Sequence, residues 1–149
     1  MQKKDLITNF LANRNMAIAG VSRSGKKFGN IIMKTLSAKG YQFHPVHPEV
    51  SEINGMSSVS SIADLPDGVE DLLLVIPPAR TEEVVHEIPG SGIKRVWMQQ
   101  GSESLKAIQF CEENSVDLVH GECILMFSEP QGLHKFHHWL WKLLGKTPN

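Results

Sequence analysis

The pattern of apolar and polar residues predicts buried strands that alternate with amphipathic helices. Residues 16–21 and 71–76 are short, almost entirely apolar runs, as expected for strands that are covered on both faces. Residues 3–13 instead place their apolar side chains at helical spacing, which predicts a short helix before the first strand. Together these patterns indicate a parallel sheet that is packed between helices.

The segments that follow continue the alternation. A helix is predicted from Gly29 to a C-cap at Gly40, and a strand over residues 41–46 ends at the HPVHP turn, because proline cannot continue a sheet ladder. Thr81 is predicted to open another helix. Further elements are a strand over 94–98, a helix from Ser102 to Cys111 and a short strand over 117–119. The fold class is therefore α/β: a Rossmann-like, doubly wound, mainly parallel sheet with helices on both faces, in three layers.

Two segments fall outside this alternation. Residues 49–68 indicate loops, apart from SSIADLP, which predicts a single helical turn before Pro66. GLHKFHHWLWKLLGK predicts a C-terminal amphipathic helix over about residues 131–144. Its simplest role is to cover the sheet of its own domain, the alternatives being a membrane surface or a partner. Trp139 lies outside the apolar stripe, which allows a homodimer contact.

Length and charge indicate one domain and limit its partners. The 149 residues are 41% hydrophobic and 21% charged, and the 12 glycines show no fixed repeat, so we expect a single domain over residues 1–149. The formal net charge is -1. Nothing global therefore attracts the protein to nucleic acid or to an acidic membrane, and any anion site must be local.

Cysteine use and the N-terminus predict the compartment. Cys111 and Cys123 lack CxxC spacing, and MQKKDLITNF lacks the apolar segment of a signal peptide. No run approaches the roughly 18 consecutive apolar residues that cross a bilayer. We therefore expect a soluble, cytoplasmic protein with reduced thiols.

The stretch GVSRSGKKFGN, residues 20–30, lies between the first predicted strand and the helix that follows it. Gly20 and Gly25 let the backbone approach a ligand closely, the helix start presents N–H groups, and Lys26 and Lys27 add positive charge. These features favour a phosphate or pyrophosphate, and a glycine-containing turn with solvated lysines is the alternative. The spacing is neither GxGxxG nor GxxxxGK[ST], which disfavours a hydride-transfer dehydrogenase and a P-loop NTPase.

Six motifs resemble, in the same order, those of the small stand-alone CoA-binding domain family. They are IAGVSRSGKKFGN, GYQFHPVHP, ING, SIADLP, VIPP and VWMQQG, and they span about residues 15–123. That family is Rossmann-like and is also similar to the CoA-binding domain of succinyl-CoA synthetase alpha subunits and to ADP-forming acyl-CoA synthetases.

The resemblance implies that coenzyme A, a small-molecule nucleotide ligand, binds at this corner. The residues implied for its phosphate-bearing end are Gly20, Val21, Ser22, Arg23, Ser24, Lys26, Phe28 and Gly29. The residues implied for the adenine region and the cleft are His47, Pro48, Ile76, Pro77, Pro78, Gln99 and Gly101. The chain departs from the family pattern at His47, where PVNP has Asn, and at Glu122, where a basic residue is usual. A carboxylate at the second position would repel phosphate.

No catalytic constellation can be identified from the residues. Hydroxyls at Ser22 and Ser24 and carboxylates at Glu82, Glu83 and Glu122 show no spacing that pairs a nucleophile with a base. The phosphorylated histidine of the related ligases belongs to a further domain. We therefore predict a module that binds CoA or an acyl-CoA, without an assigned catalysis. The alternatives are an enzyme that uses NAD(P) or acyl-CoA, and an interaction protein that has lost the ligand.

Histidines and the HGEC motif offer only fragments of a metal site. HGEC at residues 120–123 lacks the PCxxC partner of zinc deaminases. His134 and His138 would share a helix face, but two histidines alone do not fill a zinc site. No acidic or thiol ligand accompanies these two, His137, or the pair His44 and His47. No metal is predicted.

Overall fold

The computed structural model describes residues 2–128, in which a parallel sheet lies between two layers of helices. The strands are β1 (Asn15–Ala19), β2 (Gln42–Val46), β3 (Glu52–Ile53), β4 (Met56–Ser57), β5 (Asp71–Leu74), β6 (Arg95–Gln99) and β7 (Asp117–Glu122). The helices are α1 (Lys3–Ala12), α2 (Phe28–Ser37), α3 (Pro78–Val85), α4 (Leu105–Glu113) and α5 (Leu125–Ser128). The main sheet has the order β2-β1-β5-β6-β7 with every pairing parallel, and β3 and β4 form a separate antiparallel hairpin.

The central strands are buried on both faces, which explains their uninterrupted apolar sequences. In β1, Met16 and Ile18 face the cluster beneath α1, α2 and α5, whereas Ala17 and Ala19 face the cluster beneath α3 and α4. The sheet is therefore the middle of three layers, because successive strand residues point to opposite faces. This arrangement confirms the predicted Rossmann-like α/β class.

The boundaries of three elements differ from the sequence predictions, and for the two helices the residues at the helix start explain the difference. α3 begins at Pro78 and not at Thr81, because proline suits the first helical position, where its missing N–H is not needed. α4 begins after Ser104, whose Oγ accepts the N–H of Ala107 at 3.1 Å, and not at Ser102. β7 continues to Glu122, past the predicted end at residue 119.

The irregular segment after β2 contains one feature that the sequence analysis missed. Asn54 and Gly55 both have positive φ values, 51° and 79°, and they join β3 to β4. An Asn-Gly pair is the usual sequence signal for such a hairpin turn, so the hairpin could have been predicted. The predicted helical turn in SSIADLP is confirmed as a single 3-10 turn, Ile62–Asp64.

Some predictions concern residues that the structure does not describe. The predicted helix over about residues 131–144, with its histidines and Trp139, lies outside the described residues. Within residues 2–128, every helix is too short or too polar to cross a membrane.

Candidate functional site

The sheet has a topological switch point between β1 and β5. These strands are neighbours, but α2 leaves β1 toward one face and α3 leaves β5 toward the other. A crevice forms between the two loops at the carboxyl ends of these strands, which is where ligands of open α/β sheets bind. The loop of residues 20–27 and the loop of residues 75–77 form its walls.

Two glycines bring the backbones together at this point. Gly20 has a φ of 117°, and a Cβ there would overlap the carbonyl oxygen of Val75. A Cβ at Gly29 would overlap the carbonyl oxygen of Gly20, so the first turn of α2 lies directly against the end of β1. Only glycine permits this approach, which leaves backbone as the wall of the crevice.

The start of α2 keeps its hydrogen-bond donors free. Lys27 is the N-cap, and its side chain makes no capping hydrogen bond. Within residues 2–128, the backbone N–H groups of Phe28 and Gly29 have no acceptor. Free N–H groups and the positive end of the helix dipole favour an anion at such a position.

The same corner carries local positive charge. Arg23, Lys26 and Lys27 are exposed, and none of them forms an ion pair with a carboxylate in the described part of the chain. The formal net charge of the whole protein is -1, so this cluster differs in sign from the protein as a whole. Because the net charge does not attract anions, an anion site needs a local positive charge, and this cluster supplies it.

A buried asparagine braces the loop against the helix. Asn30 is 5% exposed, its Oδ1 accepts the N–H of Ser22 at 2.9 Å, and its Nδ2 donates to the Ser22 carbonyl at 3.0 Å. The hydroxyls of Ser22 and Ser24 lie 2.9 Å apart. Asn30 was not among the predicted site residues, yet it fixes the loop that contains most of them.

Replacing Asn30 with alanine is expected to lower the free energy of unfolding by about 2 kcal/mol, because the N–H and the carbonyl of Ser22 both lose a partner. Urea denaturation measures this loss. Asn114→Ala is the matched control, since it removes an exposed amide that donates to the Phe110 carbonyl at 2.8 Å. It should cost about 0.5 kcal/mol or less. Equal losses in the two variants would contradict the bracing role of Asn30.

His47 holds the turn that follows β2. Its Nδ1 accepts the N–H groups of Glu49 and Val50 at 3.0 and 3.2 Å, and its own backbone N–H donates to the Val59 carbonyl at 2.8 Å. An asparagine side chain holds turns through its oxygen in a similar way. His47 therefore supplies an acceptor at the position where the family motif has Asn, and the neutral ring carries its proton on Nε2.

A cavity of about 540 Å³ adjoins the loop of residues 20–27. It is lined by Arg23 and, from the segment after β2, by Glu49, Val50, Ser51, Glu52 and Asn54. Pro48, predicted to border the adenine, is exposed at the start of that segment. This cavity lies on the β2 side of the loop, and its lining adds residues that the sequence analysis did not single out.

The β5 side of the crevice continues into the loop after β6. Ile76 is half-buried, Pro77 and Pro78 are exposed, and the N–H of Ile76 donates to Ser102 Oγ at 3.1 Å. Gly101 is exposed in the loop after β6. The structure thus brings these predicted residues together along one edge.

Gln99 has a different environment from the other predicted residues. Its side chain is 2% exposed, and its Oε1 accepts the N–H of Ile124 at 3.0 Å. Its side chain therefore holds the turn after β7 and is buried in the protein, not exposed in the crevice.

Glu122 has a cationic partner. Its Oε1 lies 2.7 Å from Lys3 Nζ on α1. The repulsion of phosphate that the sequence suggested is therefore offset by a lysine 119 positions earlier in the chain.

The histidine and the cysteine that were considered as metal ligands are held by other groups of the same chain or are buried. His44 Nε2 lies 2.7 Å from Asn15 Oδ1, and burial lowers the pKa of His44. Cys123 is buried, and this burial raises the pKa of its thiol. Among residues 2–128, no three His, Cys, Asp or Glu side chains come together in a group that could hold a metal ion.

The fold and the crevice place the chain among Rossmann-like α/β proteins with a cationic corner after the first strand. A family model described as a CoA binding domain matches residues 14–129, and the chain belongs to this family. The resemblance stated from the sequence is thereby confirmed. Family membership supports CoA as the ligand.

Solved structures agree with this fold. A conserved hypothetical protein from Pyrococcus furiosus is 36% identical, with a TM-score of 0.72 over 76% of this chain and 97% of its own. A hypothetical protein from Pyrococcus horikoshii OT3 is 28% identical, with a TM-score of 0.76 over 84% of this chain and 88% of its own. A dinucleotide forming acetyl-coenzyme A synthetase from Ca. Korarchaeum cryptofilum, 20% identical, shares the fold, with a TM-score of 0.62 over 71% of this chain and 25% of its own. No curated protein matches the sequence.

Proposed function

We propose that the chain binds coenzyme A or an acyl-CoA, with the diphosphate at the loop of residues 20–27 and the start of α2. The observation that carries this proposal is the pair of unpartnered N–H groups at Phe28 and Gly29 beside three cations. Among residues 2–128, none of those cations is paired with a carboxylate. Charge-assisted hydrogen bonds to a phosphate would satisfy both sets of groups.

The remainder of the crevice fits the two ends of such a ligand. His47 and Pro48 border the adenine end, and the adjoining cavity offers the Arg23 guanidinium on a lining that also contains the carboxylates of Glu49 and Glu52. The pantetheine arm follows Ile76 and the two prolines toward Gly101. The glycine contacts support this arrangement, because side chains at Gly20 and Gly29 would prevent the close approach of the two backbones.

We assign no reaction to the site. The Ser22 hydroxyl lies within hydrogen-bond distance of Ser24 Oγ and Asn30 Oδ1, at 2.9 and 3.3 Å, and neither of these groups is a general base. An enzyme that uses NAD(P) is disfavoured, because β2 is followed by His47 where a dinucleotide site has an acidic residue for the ribose. The proposal is therefore a binding domain.

The double substitution Lys26→Ala/Lys27→Ala is expected to weaken CoA binding at least about tenfold, or about 1.4 kcal/mol, because two phosphate-facing charges are lost. Isothermal titration calorimetry at fixed ionic strength measures the change. Lys4→Ala/Lys34→Ala removes the same charge from exposed helix positions and should leave the Kd within about twofold. Unchanged affinity in the Lys26/Lys27 variant would reject this site.

A thermal-shift screen of the unaltered protein separates the competing functions. CoA, acetyl-CoA, NAD, NADP and ATP are each added at the same concentration, since a ligand that binds only the folded state raises Tm. Selective stabilisation by CoA or acetyl-CoA supports the proposal. Stabilisation by the dinucleotides would favour an enzyme, and no response at all would favour an interaction protein.

A further inference from the structure

The loops that follow β5 and β6 are joined by one buried hydroxyl. Ser102 is 4% exposed, and its Oγ accepts the N–H of Ile76, 26 residues earlier in the chain. Its own backbone N–H donates to the Gln99 carbonyl at 2.7 Å. The backbone of Ser102 is therefore held by Gln99 at the end of β6, and its hydroxyl holds Ile76 in the loop that follows β5.

The adjacent carboxylate joins the loop after β6 to β7. Glu103 Oε1 accepts the N–H of Gly101 at 3.1 Å, and its Oε2 accepts the N–H of Gly121 at 3.2 Å. Both carboxylate oxygens are thus used on backbone donors from two segments. Ser102 and Glu103 together connect β5, β6 and β7 along the edge where the crevice opens.

The backbone held in this way retains free acceptors. Within residues 2–128, the carbonyl groups of Ile76 and Gly101 accept no hydrogen bond, although the N–H groups of both residues are occupied. A pantetheine arm contains two amide N–H groups, and each needs an acceptor when the arm leaves water. The free carbonyls are of the type that such an arm requires.

We propose that Ser102 and Glu103 are positioning residues, which hold the backbone at Ile76 and Gly101 in the conformation that receives the amide-bearing arm of the ligand. This inference rests on the proposed function. A fixed acceptor pair strengthens binding because less conformational freedom is lost when the ligand binds. Neither side chain needs to touch the ligand.

The test compares CoA with 3′-phosphoadenosine 5′-diphosphate, which is CoA without its pantetheine arm. Ser102→Ala is expected to weaken CoA binding about tenfold and to leave the Kd of the shorter ligand within about twofold. Calorimetry on the full chain gives both constants. A general structural defect would weaken both ligands equally, and that result, or an unchanged CoA affinity, would overturn the proposal.

Two variants control for an effect on folding. Ser104→Ala removes a hydroxyl in the same loop that accepts an N–H at a similar 3.1 Å, but that N–H belongs to Ala107 of α4. It should leave the ratio of the two dissociation constants unchanged. Ser102→Thr keeps the hydroxyl and should restore CoA affinity to within about threefold of the unaltered protein. Failure of Ser102→Thr to restore affinity would count against the role of the hydroxyl.

Glu103→Gln tests the carboxylate separately. An amide offers one acceptor oxygen, and its NH₂ group would face one of the two glycine N–H donors. CoA affinity is expected to fall about fivefold with the affinity for the shorter ligand unaffected, whereas Glu113→Gln, at an exposed position of α4, should change neither affinity. If the unaltered protein binds neither CoA nor the shorter ligand, the proposed function fails. If it binds both and the variants leave the ratio unchanged, only the positioning role fails.

Discussion

Replacing Gly29 with alanine is expected to lower the free energy of unfolding by about 3 kcal/mol, although alanine is the better helix former. The added Cβ would overlap the Gly20 carbonyl, and Gly20 cannot retreat because it is itself in close contact with the Val75 backbone. The overlap is between backbone atoms, so rotation of a side chain cannot relieve it. Urea denaturation at pH 7.5 measures the change.

Gly25→Ala is the matched control for this substitution. Gly25 lies in the same loop and has a positive φ of 73°, but a Cβ there would have no other atom within 4 Å. The expected loss is about 1 kcal/mol, which is the cost of a left-handed backbone in an alanine. If the two variants lost the same stability, the close contact between α2 and β1 would not be the reason for Gly29.

The layers of the fold could be predicted because a strand that is buried on both faces has an uninterrupted run of apolar residues. β5 lies between two strands and two helix layers, so residues after Asp71 are uniformly apolar. The order of the strands could not be predicted in the same way. Apolar runs show that a strand is central, but they do not show which strands pair with it.

The site could be predicted only where its chemistry is local in sequence. The glycines and lysines of residues 20–29 lie within ten positions of the chain, and their types alone favour an anion site. Ser102 and Lys3 act on groups that are 26 and 119 positions away, and no sequence periodicity connects such pairs. The supporting residues of the crevice therefore become visible only in the folded chain.

The opposite end of the sheet contains an ionic cluster around one buried carboxylate, which bears on stability and not on the crevice. Asp71 is fully buried at the start of β5, its Oδ1 lies 2.5 Å from Arg95 Nε, and its Oδ2 has no partner among residues 2–128. Arg95 also pairs with Glu70 at 3.1 Å, and Lys94 pairs with Glu70 at 2.9 Å. Burial raises the pKa of Asp71 to about 6, despite the opposing effect of Arg95.

The raised pKa determines the sign of a pH effect. The folded state holds a proton on Asp71 up to about pH 6, whereas the unfolded chain releases it near the ordinary value of 3.8. Protonation therefore favours the folded state, and the stability that it contributes is fully present below pH 3.8 and lost as the pH rises through 6. A drop from pH 7.5 to pH 5 should add about 1.4 kcal/mol through this one group.

Asp71→Ala is expected to cost about 3 kcal/mol at pH 7.5, because Arg95 loses a buried partner. The cost should be about 1.4 kcal/mol larger at pH 5, since only the unaltered protein gains stability from the proton. Urea denaturation at the two pH values measures both costs. His44, whose pKa burial lowers, titrates in both proteins, so its effect cancels in the difference. A cost that shrinks at pH 5 would mean that attraction to Arg95 outweighs the desolvation of the carboxylate, which would reverse the assignment of the dominant force at this end of the sheet.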